Sequence, residues 1–170
     1  MSTVRYRLAR ALRHWKSSAA SGRRAFPQQT LAAIARAISE GELTHRSELR
    51  LIVEASMPFE AIWADISNRQ RALALFAEYG LWDTEDNCGV LIYVNLAQRQ
   101  VDIVADRNVN RTIDAATWQA VCHGMTDGFA RGQFHDSTLT AVAQVNALLR
   151  THFPATGTRT NELPDNPIML

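Results

Sequence analysis

Cysteine is scarce. Cys88 and Cys122, the only two in 170 residues, cannot build a disulfide scaffold, and their separation matches no metal or redox motif. Lysine is scarcer still, with Lys16 alone. A formal net charge of +1 removes the strongly basic profile of a nucleic-acid binder, so no nucleic-acid partner is expected. No run reaches the ~18 apolar residues of a membrane span. An uninterrupted apolar stretch of the secretory-signal kind is also lacking between the early arginines. What is present is ordinary globular composition, 46% hydrophobic and 21% charged. These features point to one soluble domain in a reduced, cytoplasmic compartment.

Charge is unevenly placed. Residues 1–39 carry Arg5, Arg7, Arg10, Arg13, Lys16, Arg23, Arg24 and Arg36 and no carboxylate; the first is Glu40. Val4, Leu8, Ala11, Leu12 and Trp15 recur at helical spacing among them. Residues 1–25 therefore read as a basic amphipathic arm, with Ser17–Gly22 as linker. One reading brings Arg5, Arg10, Arg13 and Lys16 against an anionic membrane surface. The other docks the apolar stripe on the domain.

Residues 26–154 carry the pattern of an α/β domain. A helix with Leu31, Ile34 and Ile38 on one stripe follows Pro27. Glu48 to Ala55 largely alternates, as a strand with one face more buried does. Ser67 and Gln70 form a capping-box pair opening a helix with Leu73, Phe76 and Ala77 inward. Gly89–Val94 reads as a central strand, and a short polar turn joins it to Val101–Ala105 in a β-hairpin. Asp114 and Ser137 are placed to cap two further helices. Trp63 and Trp118 read as core. The expected architecture is a small mixed sheet containing the hairpin, with helices on both faces. Residues 155–170 read as an irregular tail.

The stretch Trp82-Asp83-Thr84-Glu85-Asp86-Asn87-Cys88-Gly89-Val90-Leu91-Ile92-Tyr93-Val94 resembles the TPM domain family, which includes thylakoid-lumen photosystem-repair proteins and bacterial envelope proteins. Gln100-Val101-Asp102-Ile103-Val104-Ala105-Asp106 resembles the family's following strand, and Phe129-Ala130-Arg131-Gly132-Gln133-Phe134 its segment between the last two helices. The resemblance spans roughly Phe26 to Pro154. It implies a TPM-like α/β fold, and acid phosphatase activity has been attributed to some members.

Phosphatase machinery is hard to find in the residues. The sixth position after Cys88 is Val94 and after Cys122 is Gly128, where a cysteine phosphatase needs arginine. No Asp-x-Asp pair, Gly-x-Ser-x-Gly elbow, P-loop or His-Glu-x-x-His occurs. Cys122 and His123 are adjacent on one helix, which points their side chains ~100° apart. One convergence is legible. Asp83 and Asp86 precede the second strand and Asp106 follows the third, and in an antiparallel hairpin those ends are neighbours. Such carboxylates suit Ca²⁺ or Mg²⁺, with Asn87 and Asn108 adding neutral oxygens and Trp82 flanking a ligand surface. The same residues also suit a solvated turn. The favoured function is a non-enzymatic interaction or assembly module with a protein partner. The alternatives are a weak metal-assisted acid phosphatase and peripheral membrane association through the arm.

Overall fold

The computed structural model describes residues 9–12, 14, 17, 19–157 and 161–170. Along them run α1 (Ala19–Ala25), α2 (Gln28–Glu42), β1 (Leu49–Glu54), α3 (Phe59–Trp63), α4 (Asn68–Glu78), β2 (Val90–Asn95), β3 (Gln100–Ala105), α5 (Arg107–Thr112), α6 (Ala115–Ala130), α7 (Phe134–His152) and β4 (Ile168–Met169). Residues 9–12 and 14 are helical too.

The sheet is mixed, in the order β3-β2-β1-β4. β1 is parallel to both β2 and β4, and β2 is antiparallel to β3 with Val90 opposite Ala105 and Asn95 opposite Gln100. Helices cover both faces. Leu51, Val53, Val90, Ile92 and Val94 pack with Ile34 and Ile38 of α2, Met125 of α6 and Val142, Val145 and Leu149 of α7. Ile52, Leu91, Tyr93 and Val104 face Ala72, Leu75 and Phe76 of α4 and Leu81. This double covering explains why β2 is apolar throughout: each alternate side chain enters one of two cores.

Local chemistry sets the helix starts. Ser67 Oγ accepts from the Gln70 amide and the Gln70 side chain accepts from the Ser67 amide, completing the capping box. Asp114 accepts from Thr117 N at 2.7 Å and opens α6. Where α6 turns into α7, Phe26 meets Phe129 edge-on at 6.1 Å, and Phe129 stacks on Phe134 at 4.9 Å.

Several expectations need correction. β1 is buried at all six positions instead of on one face, because α4 covers the side bearing Arg50, Ile52 and Glu54. On α4 the inward residues are Asn68, Ala72, Leu75 and Phe76, while Leu73 is 47% exposed and Ala77 also faces out. Phe76 is inward as expected, but the buried stripe runs through Asn68, Ala72 and Leu75 and leaves Leu73 and Ala77 outside it. Trp63 is 60% exposed and not core, whereas Trp118 is buried. α7 begins at Phe134, so Ser137 lies in its first turn with Oγ on the Gln133 carbonyl instead of capping it. The segment Ser17–Gly22 does not run as a plain linker: α1 begins at Ala19, and Gly22 is buried against Ala55 and Met169. Nor is the tail wholly irregular. Glu48, 4% exposed, accepts from the amides of Glu162 and Leu163, and Leu170 N donates to Val53 O, seating β4 on the sheet edge.

The arm follows the docked reading where it is described. Arg10 is 2% exposed, donates to Asp65 Oδ1 at 2.8 Å and to the Ile66 carbonyl, and lies on Met57 Sδ. His14 Nδ1 accepts from Met57 N at 3.1 Å. Arg10 therefore does not face a membrane as one reading of the arm had it; a buried guanidinium keeps its charge only with acceptors arranged around it, and the 57–66 segment supplies them. Arg5, Arg13 and Lys16 lie outside the described residues.

Candidate functional site

The two ends of the hairpin carry different chemistry. At the end predicted to collect carboxylates, Asp106 N donates to Gly89 O at 2.9 Å, closing the ladder, and Asn108 Nδ2 donates to the Asp86 carbonyl at 2.5 Å. The topology thus brings Asn108 onto the Asp86 carbonyl and sets Asp106 opposite Gly89. Their side chains have other work. Asp106 is 7% exposed and caps α5, its Oδ1 accepting from Arg107 N at 2.6 Å, while Oδ2 is buried without a hydrogen-bond partner. Asp86 Oδ1 stands 3.7 Å from Arg46 Nη1. Asp83 is exposed on the loop, its amide on the Gly80 carbonyl. Asn87 adopts φ 52°, a turn role that asparagine tolerates, and its side chain is exposed. Trp82 is 56% exposed, with Nε1 on the Ala77 carbonyl at 3.3 Å. Among the described residues no three His, Cys, Asp or Glu side chains are grouped to hold a metal ion.

The opposite end opens into a polar cleft of about 830 Å³. Its walls are the start of α4, the hairpin turn with β3, and the outer face of α6; Arg10 and Asp65 close one side. β3 is the sheet's edge strand, and the cleft lies along it. Asn68 is 6% exposed, and its Nδ2 donates to Asp102 Oδ2 at 2.6 Å. Arg69 Nη1 donates to the Ile103 carbonyl and stands 4.0 Å from Asp102 Oδ1. Arg69 thereby covers part of an edge strand that would otherwise offer its carbonyls to another chain. Gln98, Arg99, Gln100 and Gln119 add exposed or half-exposed amides and a guanidinium. Arg99, at φ 54°, ends the turn, its amide on the Leu96 carbonyl.

The hydroxyls and the thiol in this cleft are engaged or protonated. Ser67 Oγ serves the capping box, and Thr126 Oγ1 donates to the His123 carbonyl at 3.0 Å. Burial, with the nearby Asp102 charge, pushes the Cys122 thiol up to about 11. A thiol so placed is the neutral species near pH 7, and the neutral species is a poor nucleophile.

Sequence reasoning missed this cleft. Asn68 and Asp102 are separated by 34 positions, and only the packing of α4 on β3 joins them. A signal was present: Asp102 interrupts the apolar run Val101-x-Ile103-Val104, and a carboxylate in a strand needs a partner.

Comparison with known proteins bears out the family resemblance. The TPM domain model matches residues 23–148. The NMR structure of the BA42 protein from the psychrophilic bacterium Bizionia argentinensis is similar in fold, with a TM-score of 0.72 and 23% identity over 83% of this chain and 92% of that one. No curated protein matches the chain. Among the described residues no helix is long and apolar enough to cross a membrane.

Proposed function

The chain belongs to the TPM domain family, and from that premise we propose that it is a non-enzymatic interaction module whose recognition surface is the polar cleft along β3. The carrying observation is the state of the cleft's reactive groups. Ser67 and Thr126 bond to backbone groups and burial pushes the Cys122 thiol up, which supports a surface of donors and acceptors over a nucleophilic site. Asn68, Gln98, Gln100 and Gln119 with Arg69, Arg99 and Asp102 supply the mixed hydrogen-bonding surface that a polar polypeptide segment of a protein partner requires. A cytoplasmic setting belongs to the same proposal and is supported by the scarcity of cysteine in the chain.

The competing reading is a weak metal-assisted phosphatase, which rests on the family resemblance and on the acidic and amide residues of the far hairpin end, where Asn108 bonds the Asp86 carbonyl. A turnover assay on an aryl phosphate, with and without Mg²⁺ or Ca²⁺, separates the two. The module reading expects no turnover above buffer. Metal-dependent turnover that disappears in Asp86→Ala and persists in Arg69→Gln would overturn it.

A further inference from the structure

We propose that the cleft binds its partner as an added strand: an extended polypeptide segment carrying an acidic residue pairs with β3 at Val101 and sets its carboxylate on Arg99. This rests on the cleft being the recognition surface. β3 is the edge of the sheet, so alternate peptide groups turn away from β2. The Asp106 amide bonds to Gly89 across the hairpin, which turns Gln100, Asp102 and Val104 toward β2 and leaves Val101, Ile103 and Ala105 facing outward. Ile103 is sealed at both groups, its carbonyl accepting from Arg69 Nη1 and its amide donating to the Cys122 sulfur. Asn110 Nδ2 donates to the Ala105 carbonyl. Among the described residues nothing bonds to the outward amide and carbonyl of Val101, which lines the cleft between the start of α4 and the outer face of α6. An open peptide group in a groove walled by amide and hydroxyl side chains suits strand addition. Backbone bonds then supply affinity, and the walls read alternate side chains.

Charge selects the segment. The cleft holds two carboxylates and both are engaged, Asp65 by Arg10 at 2.8 Å and Asp102 by Asn68 at 2.6 Å with Arg69 nearby. Of the arginines lining the cleft, only Arg99 has no carboxylate within ion-pair reach among the described residues. Arg99 also holds φ 54°, a left-handed conformation in which glycine or asparagine is the relaxed choice. A long cation kept at such a position, exposed and two residues from Val101, points to a role for its side chain beyond the turn itself. A carboxylate two residues along the added strand from the one opposite Val101 comes abreast of it.

The test is selection of random phage-displayed peptides on the immobilised full chain, followed by amide NMR titration of the full chain with the capped synthetic peptides recovered. The sequences should share an acidic residue in a proline-free stretch, and titration should move the amides of Gln98–Ile103. N-methylation at alternate peptide positions should cut affinity about tenfold and leave it unchanged at the positions between, the signature of one-sided strand pairing. Val101→Pro removes an outward amide that an edge strand can spare and should abolish binding. Arg99→Gly should weaken binding about tenfold while raising the unfolding midpoint, a combination that a purely structural arginine does not give. Failure to recover any peptide that binds the cleft overturns both this proposal and the cleft reading. Cleft binding without the alternating N-methyl pattern, or undiminished in Arg99→Gly, overturns the strand proposal alone. So does sedimentation velocity showing a dimer that Val101→Pro dissolves, since β3 then pairs with a second copy.

Discussion

Tyr93, from the central strand, donates its hydroxyl to Glu54 Oε2 at 2.5 Å, although Glu54 lies at the end of the neighbouring strand and is only 1% exposed. Arg71 completes the arrangement from α4, with Nη2 2.6 Å from Glu54 Oε1 and Nε 3.2 Å from both oxygens. A carboxylate taken out of water needs this many donors, and burial together with its charge pushes the Tyr93 hydroxyl up. Tyr93→Phe should cost about 1–2 kcal/mol, since Arg71 still neutralises the charge. Glu54→Ala should cost more, about 3 kcal/mol, by stranding both donors. Urea midpoints of the two variants give the comparison, and equal losses would mean that the hydroxyl and not the ion pair dominates.

Glu42 makes stability fall with pH. Burial, and then the charges of Glu48 and Asp165, push its carboxyl from 4.5 to about 9, against a lowering bond from the Leu49 amide. Below about pH 4.5 both folded and unfolded chains hold the proton; from there to about 9 only the folded chain does, so the unfolded state gains as pH rises. Glu42→Gln keeps the shape without the ionisation. Its advantage over the parent protein should be near zero at pH 4 and reach about 2 kcal/mol by pH 8, allowing for partial solvent screening. Unfolding curves at both values check the sign.

Cys122 should alkylate slowly for a half-exposed thiol. With its thiol pushed up to about 11, the rate with iodoacetamide at pH 8 should be ten- to a hundredfold below that of an ordinary cysteine, on the order expected from thiolate fraction and nucleophilicity. The rate should keep climbing with pH until about 11. Mass spectrometry distinguishes it from Cys88, which is buried and should stay unlabelled while the protein is folded.

Gly89 has no room for a side chain. A Cβ there would stand 1.9 Å from the Leu81 carbonyl oxygen, a backbone atom that cannot rotate away. Gly89→Ala should therefore displace the loop before β2 and destabilise by about 3 kcal/mol or more. Gly124→Ala, where a Cβ meets nothing within 4 Å, is the control and should be neutral or stabilising. Thermal unfolding of the pair decides.

Arg10→Ala should cost about 1–2 kcal/mol, because it removes the donor to Asp65, Ile66 and Met57 while Asp65, at 42% exposure, can be rehydrated. Deleting residues 1–22 should leave a cooperatively folding domain of lower stability. Loss of the cooperative transition would show that the arm completes the core.

Local chemistry carried much of the fold into the sequence. The Ser67–Gln70 box, the Asp114 cap, the apolar run Val90–Val94 and the short turn at Asn95–Arg99 each act over a few residues, so each is readable without neighbours. The hairpin also set Asn108 on the Asp86 carbonyl and the Asp106 amide on Gly89, because antiparallel pairing dictates which ends meet. What those side chains then did was set by closer partners: Arg46 for Asp86, and the helix start at Arg107 for Asp106.

Long-range packing decided the rest. Arg10 reads as a solvent-facing cation until Asp65 and Ile66, over 50 positions away, surround it. Trp63 reads as core until α3 proves to hold only Ile62 inward. The tail's last residues have no strand signal of their own; they become β4 because β1 leaves an open edge and Glu48 holds the incoming amides. The cleft exists only because α4 and α6 flank the same edge strand. Hydrophobic period and capping are encoded residue by residue, whereas burial of a charge or pairing of an edge depends on which distant groups arrive, and that is a property of the assembled fold.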